Sequence, residues 1–270
     1  MMKSLFCSSL IMGTVLFSYQ AIAQTEETIM ASELAFAKTA KREGIKIAFE
    51  KYMAPTGQIV VGNTITNALS YYERIPNDTT DLLWWRPVLA FVNRENDFGF
   101  ATGPFRYFKN KNGAAVGSGY TFSIWEKNKD GLFKILFDGG VNVNHIPDSL
   151  INVSENIPVS EFNFGSESML TEEGLPAADL FSEDRIHSHA IFLRPNRNGI
   201  LNYQQAKAGP KLFKTVKQEG FDRTGKTYYR FGNLGKDRQS LQDGKYCGYF
   251  AQVWSLDNSG WMLLADVMQF

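Results

Sequence analysis

The stretch Gly119–Asp138, GYTFSIWEKNKDGLFKILFD, returns near the C-terminus as Gly248–Asp266, GYFAQVWSLDNSGWMLLAD. Both copies open Gly-Tyr, place a Trp six residues on (Trp125, Trp254), turn at a glycine (Gly131, Gly260) and end on an aspartate. The offset is 129 as far as the turn glycine and 128 at the final aspartate, so the first copy carries one extra residue, at Leu132. A turn absorbs such an insertion because the ladders on either side keep their register. Each copy reads as a hairpin that closes a domain, and the chain reads as two domains in tandem.

Upstream of the first hairpin, residues 26–53 read as helix. Ile29, Leu34, Phe36, Ala40, Ile45, Ala48, Phe49 and Tyr52 roughly follow a 3.6 period, with Lys38, Lys41, Arg42 and Glu43 on the other side. Gly44 should break this run into two helices or mark a close approach. Pro55-Thr56-Gly57 is a turn and Gln58–Gly62 a short strand. A short helix is expected over Ile65–Tyr72, then a polar loop from Pro76 to Asp81. Strands are expected over Trp84–Asn93, Phe98–Lys109 and Gly119–Lys127, the last two joined by an Asn112-Gly113 turn, with Phe133–Val141 closing the sheet.

Residues 142–160 hold two prolines, four asparagines and no helical period, which marks a linker. From Glu161 the first half is echoed. Glu173-Gly174 answers Glu43-Gly44, Ile186–Leu193 is the first strand, Gly199–Lys207 a short helix, and Thr227–Asn233 corresponds to Phe98–Pro104. The expected organisation is a signal peptide over 1–23, a domain over 24–141, a linker over 142–160 and a second domain over 161–270. Helices followed by a curved, mostly antiparallel sheet make the fold class α+β.

The N-terminus carries the address. Lys3 is the positive end, Leu10–Phe17 the apolar run, and Ala21-Ile22-Ala23 a small-x-small cleavage site before Gln24. The apolar run is too short for a stable spanning helix. Removal of this segment also removes Cys7, leaving Cys247 with no internal partner. The expected location is periplasmic or secreted, with no membrane insertion of the mature chain. Lys+Arg and Asp+Glu are both 28, so no electrostatic footprint for nucleic acid or an anionic membrane is present. Hydrophobic residues make up 44% and aromatic residues 14%, a globular composition rich in strand formers.

The order of helix, Ala-Pro-x-Gly turn, strand and short helix, followed by FGFATGPF, GYTFSIWEK and DGLFKILFD, resembles the nuclear transport factor 2-like superfamily, especially its SnoaL-like and uncharacterised bacterial branches. Residues 26–141 carry most of the resemblance. The second half shares Gly248-Tyr249, Trp254 and Gly260-Trp261…Asp266, and has Phe231-Gly232-Asn233 in place of Thr-Gly-Pro. The resemblance implies cone-shaped domains in which helices pack on a bent sheet around a pocket with one open end. It implies isomerases, cyclases and dehydratases, and equally domains with no chemistry, so fold alone does not settle function. It also implies sheet-to-sheet pairing of domains, which a tandem chain could make internally as a monomeric pseudo-dimer.

Candidate chemistry concentrates in Asp184-Arg185-Ile186-His187-Ser188-His189. On a strand, His187 and His189 share a face, and imidazole suits proton transfer near neutral pH. The resemblance sets a general base on this strand, a few residues after Phe181-Ser182-Glu183-Asp184, about where His189 falls; the family base is normally a carboxylate. Asp184, His187 and His189 are thus the catalytic candidates, against the stronger alternative of a solvated or interface face. Ile191 and Leu193 share the histidine side, which favours a pocket-facing arrangement. Trp84 with Arg86, and Tyr229 with Arg230, are ligand-binding candidates for an apolar molecule with an acidic group, against a reading as core aromatics and salt-bridged arginines. Asp138 and Asp266 are expected to make structural hydrogen bonds. No metal spacing, Walker loop, dinucleotide glycine motif or nucleophile elbow is present, and no cofactor is implied. Two functions remain: a small-ligand-binding or accessory module, or an acid/base enzyme working in the second domain.

Overall fold

The computed structural model describes residues 28–150, 160–164 and 183–270, with only the backbone of Glu161. The expected signal peptide, Glu173-Gly174 and Phe181 lie outside the described residues. The described chain mixes α and β structure, with few helices and two sheets.

The expected long helix is two, α1 (Ile29–Glu43) and α2 (Ile45–Tyr52), parted by Gly44 at φ 104°. A Cβ at Gly44 would also meet the Asn77 amide at 2.5 Å, so conformation and crowding both call for glycine. Thr28 caps α1, its hydroxyl accepting from the Ala31 amide at 3.1 Å. The larger sheet contains β1 (Met53–Val61), β2 (Thr64–Asn67), β3 (Leu82–Trp85), β4 (Leu89–Asn93), β5 (Phe98–Phe108), β6 (Gly117–Lys127), β7 (Phe133–Asn142) and β8 (Ser160–Phe164). Its order is β2-β1-β7-β6-β5-β4-β8, with β3 also on β5. The helix expected over 65–72 is α3 (Ala68–Glu73) alone. Thr64–Asn67 instead forms an antiparallel pair with β1, and the Asn67 side chain then caps the shortened helix by accepting from Ser70 at 2.9 Å. The strand expected over 84–93 is divided at Arg86-Pro87-Val88, since Pro87 has no amide to give a ladder. Ser160–Phe164 runs parallel to β4 in the larger sheet.

The smaller sheet holds β9 (Ile186–Leu193), β10 (Phe213–Phe221), β11 (Thr227–Gly235), β12 (Gly248–Asp257) and β13 (Gly260–Gln269), in the order β10-β11-β12-β13-β9. Two short helices, α4 (Tyr203–Ala206) and α5 (Arg238–Gln242), lie between its strands. The strand orders correspond. β1 and β9 run parallel to the closing strands β7 and β13, and β6 and β12 pair antiparallel with them. The register slips at Ile124/Trp125 in one hairpin and at Val253/Trp254 in the other, so the irregularity repeats at the two tryptophans. A Cβ on Gly119 would meet the Val141 carbonyl oxygen at 1.9 Å, and one on Gly248 the Gln269 carbonyl oxygen at 1.9 Å. The backbone therefore approaches its neighbour equally closely at both hairpin starts. Gly119→Ala and Gly248→Ala are each expected to cost about 1–3 kcal/mol by overpacking, measured by urea unfolding. A neutral result at both would contradict this close approach.

α1 and α2 cover one face of the larger sheet, here the inner face, through Ile29, Phe36, Ala40, Ala48 and Phe49 packed on Trp85, Trp125, Ile135 and Ile59. The outer face joins the smaller sheet in one core: Phe98 stacks on Tyr229 at 5.6 Å, and Phe137 lies 4.6 Å from Phe231. Turns separated by the repeat offset also meet. Asn93 Oδ1 accepts from the Asp97 and Phe98 amides, and Asp222 Oδ1 from the Lys226 and Thr227 amides. Asn93 Nδ2 then donates to Asp222 Oδ2 at 3.0 Å.

Candidate functional site

A row of paired residues crosses the larger sheet on its inner face: Ala101, Ser123, Asp138 and Ile59. The alternation that sends Phe122 and Phe137 to the outer core sends Ser123 and Asp138 inward. Glu33 of α1 descends onto this row. It is 1% exposed, and each of its oxygens accepts an indole N–H, from Trp85 at 2.7 Å and from Trp125 at 2.7 Å. The Ser123 hydroxyl donates to Asp138 Oδ2 at 2.8 Å and is also felt by Glu33, so it stands between the two carboxyls.

Burial pushes the Glu33 carboxyl up to about 7, against the hydrogen bonds from Trp85, Trp125 and Ser123 that favour its charge. Asp138 keeps some surface toward solvent yet is surrounded by protein atoms. Burial first, and then the Glu33 charge, push it up to about 8, opposed by the Ser123 hydrogen bond. Two carboxyls disposed in this way do not both ionise near neutral pH. The half-buried Tyr71, Ile75, Leu83 and Phe105 pack against the helix-covered core on this same face, and Tyr107 pairs with Leu83 in the ladder. The arrangement can donate a hydrogen bond from a protonated carboxyl to a neutral acceptor, or exchange a proton close to neutral pH.

The corresponding row of the smaller sheet is Arg230, Gln252, Asp266 and Phe192. Arg230 Nε donates to Gln252 at 2.9 Å, Gln252 Nε2 donates to Asp266 at 2.5 Å, and Arg194 forms an ion pair with Asp266. Burial alone would raise Asp266, but Arg194, Lys214 and the hydrogen bonds hold it below the usual carboxylate range. The repeated aspartate is thus a protonatable acid in one sheet and a fixed anion in the other. Asp266 makes the structural hydrogen bonds expected of it. Asp138 does so too, with an acidity no sequence pattern announces.

The sequence candidates fall elsewhere. His187 and His189 do share a side of β9, their rings 5.5 Å apart, but Ile186 and Ala190 take the side that packs on Phe192, Trp254 and Trp261. The pocket-facing arrangement expected for the histidines is therefore corrected. They project from the opposite face, where His189 is exposed and stacks 5.5 Å from Phe162 of β8. Ile191 and Leu193 become buried on that side because the smaller sheet there meets the larger one. Burial, then His189, lowers the His187 pKa. Asp184 sits exposed in a single 3-10 turn before the strand. Trp84 faces away from the acid pair, paired with Arg106; its neighbour Trp85 is the one that reaches Glu33, and Arg86 lies past the strand's end. Tyr229 is buried between the sheets, stacked on Phe98 and Phe231, which leaves no surface for a ligand. Arg230 is buried over the Trp254 ring at 4.8 Å. The two expected pairs belong to different sheets, Trp84 with Arg86 at β3 of the larger and Tyr229 with Arg230 on β11 of the smaller. Among the described residues no group of three His, Cys, Asp or Glu could hold a metal ion, and no helix is long and apolar enough to cross a membrane.

No protein-family model matches the chain, and no curated protein matches it. Similar solved structures include a candidate ketosteroid isomerase from Shewanella frigidimarina NCIMB 400, 16% identical, covering 42% of this chain and 95% of its own, with TM-score 0.33. An NTF-2 like protein of unknown function from Shewanella oneidensis MR-1 is 16% identical over 39% of this chain and 89% of its own, with TM-score 0.32. A candidate ketosteroid isomerase from Parabacteroides distasonis ATCC 8503 is 16% identical over 44% of this chain and 90% of its own, with TM-score 0.34.

Proposed function

We propose that the protein is a periplasmic or secreted small-ligand-binding module of two tandem cone-shaped units, with its working site on the inner face of the larger sheet. The observation that carries this reading is Asp138, part open to solvent and pushed up to about 8, on the sheet face whose helix-covered core carries the half-buried Tyr71, Ile75, Leu83 and Phe105. Such a site matches an apolar molecule with one neutral hydrogen-bond acceptor, because a protonated carboxyl donates without bringing a charge. The direct contact between Asn93 and Asp222, residues at equivalent positions of the repeat, supports an internal pseudo-dimer, since equivalent residues meet at a two-fold axis. A monomer in solution is expected, and a stable dimer by light scattering would remove that part.

The site is tested with 2-acetylnaphthalene, a neutral aromatic ketone, titrated against the fluorescence of the tryptophans. Saturable binding should weaken about tenfold from pH 6 to pH 9 as Asp138 ionises. Asp138→Asn should abolish that pH dependence, and Phe105→Ala should weaken binding at both pH values. Absence of saturable binding, or an unchanged pH dependence in Asp138→Asn, would overturn the reading. A second reading, proton-transfer catalysis, is favoured by the same raised pKa values, which lie near neutral pH. It moves the chemistry expected at His189 to Glu33 and Asp138 in the first half.

A further inference from the structure

The charges are balanced over the whole chain but not along it. Residues 185–270 hold thirteen Lys and Arg against six Asp and Glu. The excess gathers around two cavities that border the segment leading into β10. The larger, about 660 Å³, lies between the start of β10 and α5, with Lys211, Lys214 and Arg238 on its walls beside Leu212, Phe213 and Leu241. The smaller, about 170 Å³, has Arg194 and Lys207 beside Phe192, Met268 and Phe270. Asp266 is the single acidic side chain among the residues lining either cavity, and it is already paired with Arg194.

Three features of the larger cavity point to one kind of occupant. Its cations come from separate elements: Lys211 and Lys214 from the segment entering β10, Arg238 from the first turn of α5. They are mounted on apolar surface, since the Arg238 guanidinium lies 5.9 Å from the Phe213 ring and the Lys214 ammonium 5.2 Å from the Phe250 ring. Phe213 itself is 41% exposed, an aromatic ring left toward water in the middle of a basic rim. Asp237, the nearest acid in sequence, is engaged as the cap of α5, accepting from the Ser240 amide at 2.7 Å. The volume suits a small organic ligand.

We infer that the cleft between β10 and α5 binds an amphipathic organic anion, its carboxylate or phosphate head held by Lys211, Lys214 and Arg238 and its apolar body laid on Leu212, Phe213 and Leu241. This site is separate from the acid pair of the larger sheet, and the two readings stand or fall independently. Cation and apolar wall are both needed: the head supplies charge-assisted hydrogen bonds, and the body covers surface that water otherwise wets.

The test is calorimetric titration of the full chain with decanoate, 1-decanol and acetate. Decanoate should bind at one site, and 1-decanol and acetate at least about tenfold more weakly. Lys211→Gln with Arg238→Gln should weaken decanoate at least about tenfold, because each substitution removes a charge-assisted contact. Both residues are exposed, so the melting temperature should not change, and Phe213→Ser should weaken decanoate without restoring 1-decanol. No decanoate binding, an unaffected double variant, or 1-decanol or acetate bound as tightly as decanoate and weakened equally by the double variant would each overturn the inference; 1-decanol binding that the double variant leaves unchanged belongs to the acid-pair site. Tighter capture of a heparin fragment through the same three cations would overturn it as well, in favour of a polyanion surface.

Discussion

Arg194→Ala is expected to lower the unfolding free energy by about 3–5 kcal/mol, the usual cost of stranding one member of a buried ion pair. Asp266 is 1% exposed, and its carboxylate meets Arg194 on one oxygen and Gln252 on the other. The guanidinium also donates to the main-chain oxygens of Leu193 and Asp266, at 2.9 and 2.8 Å, tying β9 to β13 beyond the last ladder pair. Its removal leaves a buried anion with the neutral Gln252 amide as its hydrogen-bond donor and takes one donor from each of two main-chain oxygens. Asp266 would answer by taking up a proton, which limits the loss at low pH and makes the variant relatively more stable at pH 5 than at pH 8. The double variant Arg194→Met/Asp266→Asn should recover most of the loss, because no charge then remains to be desolvated. Urea unfolding of the two proteins decides the matter. A single variant within about 1 kcal/mol of the parent would show that the pair is solvated.

The two halves differ in how much of this could be read beforehand. The hairpin repeat was legible because its landmarks are residues with few substitutes: a glycine where the next strand crowds the backbone, a turn glycine at positive φ, and a tryptophan at the register slip. Gly44 was legible for the same reason. Glu33 was not. The apolar pattern of α1 can be drawn through Leu34, which in the structure is 41% exposed, while Glu33 lies on the buried side between Ile29 and Phe36. A charged residue one helical turn after Ile29 is the trace it leaves in the sequence. Its partners Trp85 and Trp125 are 52 and 92 residues away, a distance over which periodicity says nothing. Alternation placed His187 and His189 together, but a strand buried on one side and docked on the other offers apolar residues on both faces. It took the second sheet to decide which was which. β10 escaped notice because it is an edge strand with exposed Phe213, Val216 and Phe221 among lysines, so it has no polar-apolar alternation to detect.

The acid pair makes the protein less stable as the pH rises from about 5 to 8.5, the reverse of an ordinary carboxylate-rich domain. Glu33 goes from 4.5 to about 7 and Asp138 from 3.8 to about 8, so between these limits the folded chain holds protons that the unfolded chain has released. Stability therefore falls with pH through this window and levels off above it. The loss is on the order of 3–5 kcal/mol, less than the two shifts taken singly, because the carboxyls share one electrostatic site and Asp138 keeps contact with water. Glu126, raised by burial, acts in the same direction. Asp266 opposes it from below: its depressed pKa contributes stability that is complete above its unfolded value and lost as the pH falls through the folded one. His187, lowered first by burial, adds to the same acid limb. Asp138→Asn isolates the pair. The amide keeps the Ser123 contact and carries no proton to lose, so the variant should match the parent near pH 5 and exceed it at pH 8.5. Glu33→Gln should act likewise, less the hydrogen bond of whichever indole loses its oxygen. Unfolding free energies at pH 5, 7 and 8.5 measure this directly. A parent protein whose stability is flat or rising over that range, or an Asp138→Asn protein no more stable at pH 8.5, would show that Glu33 and Asp138 are ordinary ionised carboxylates.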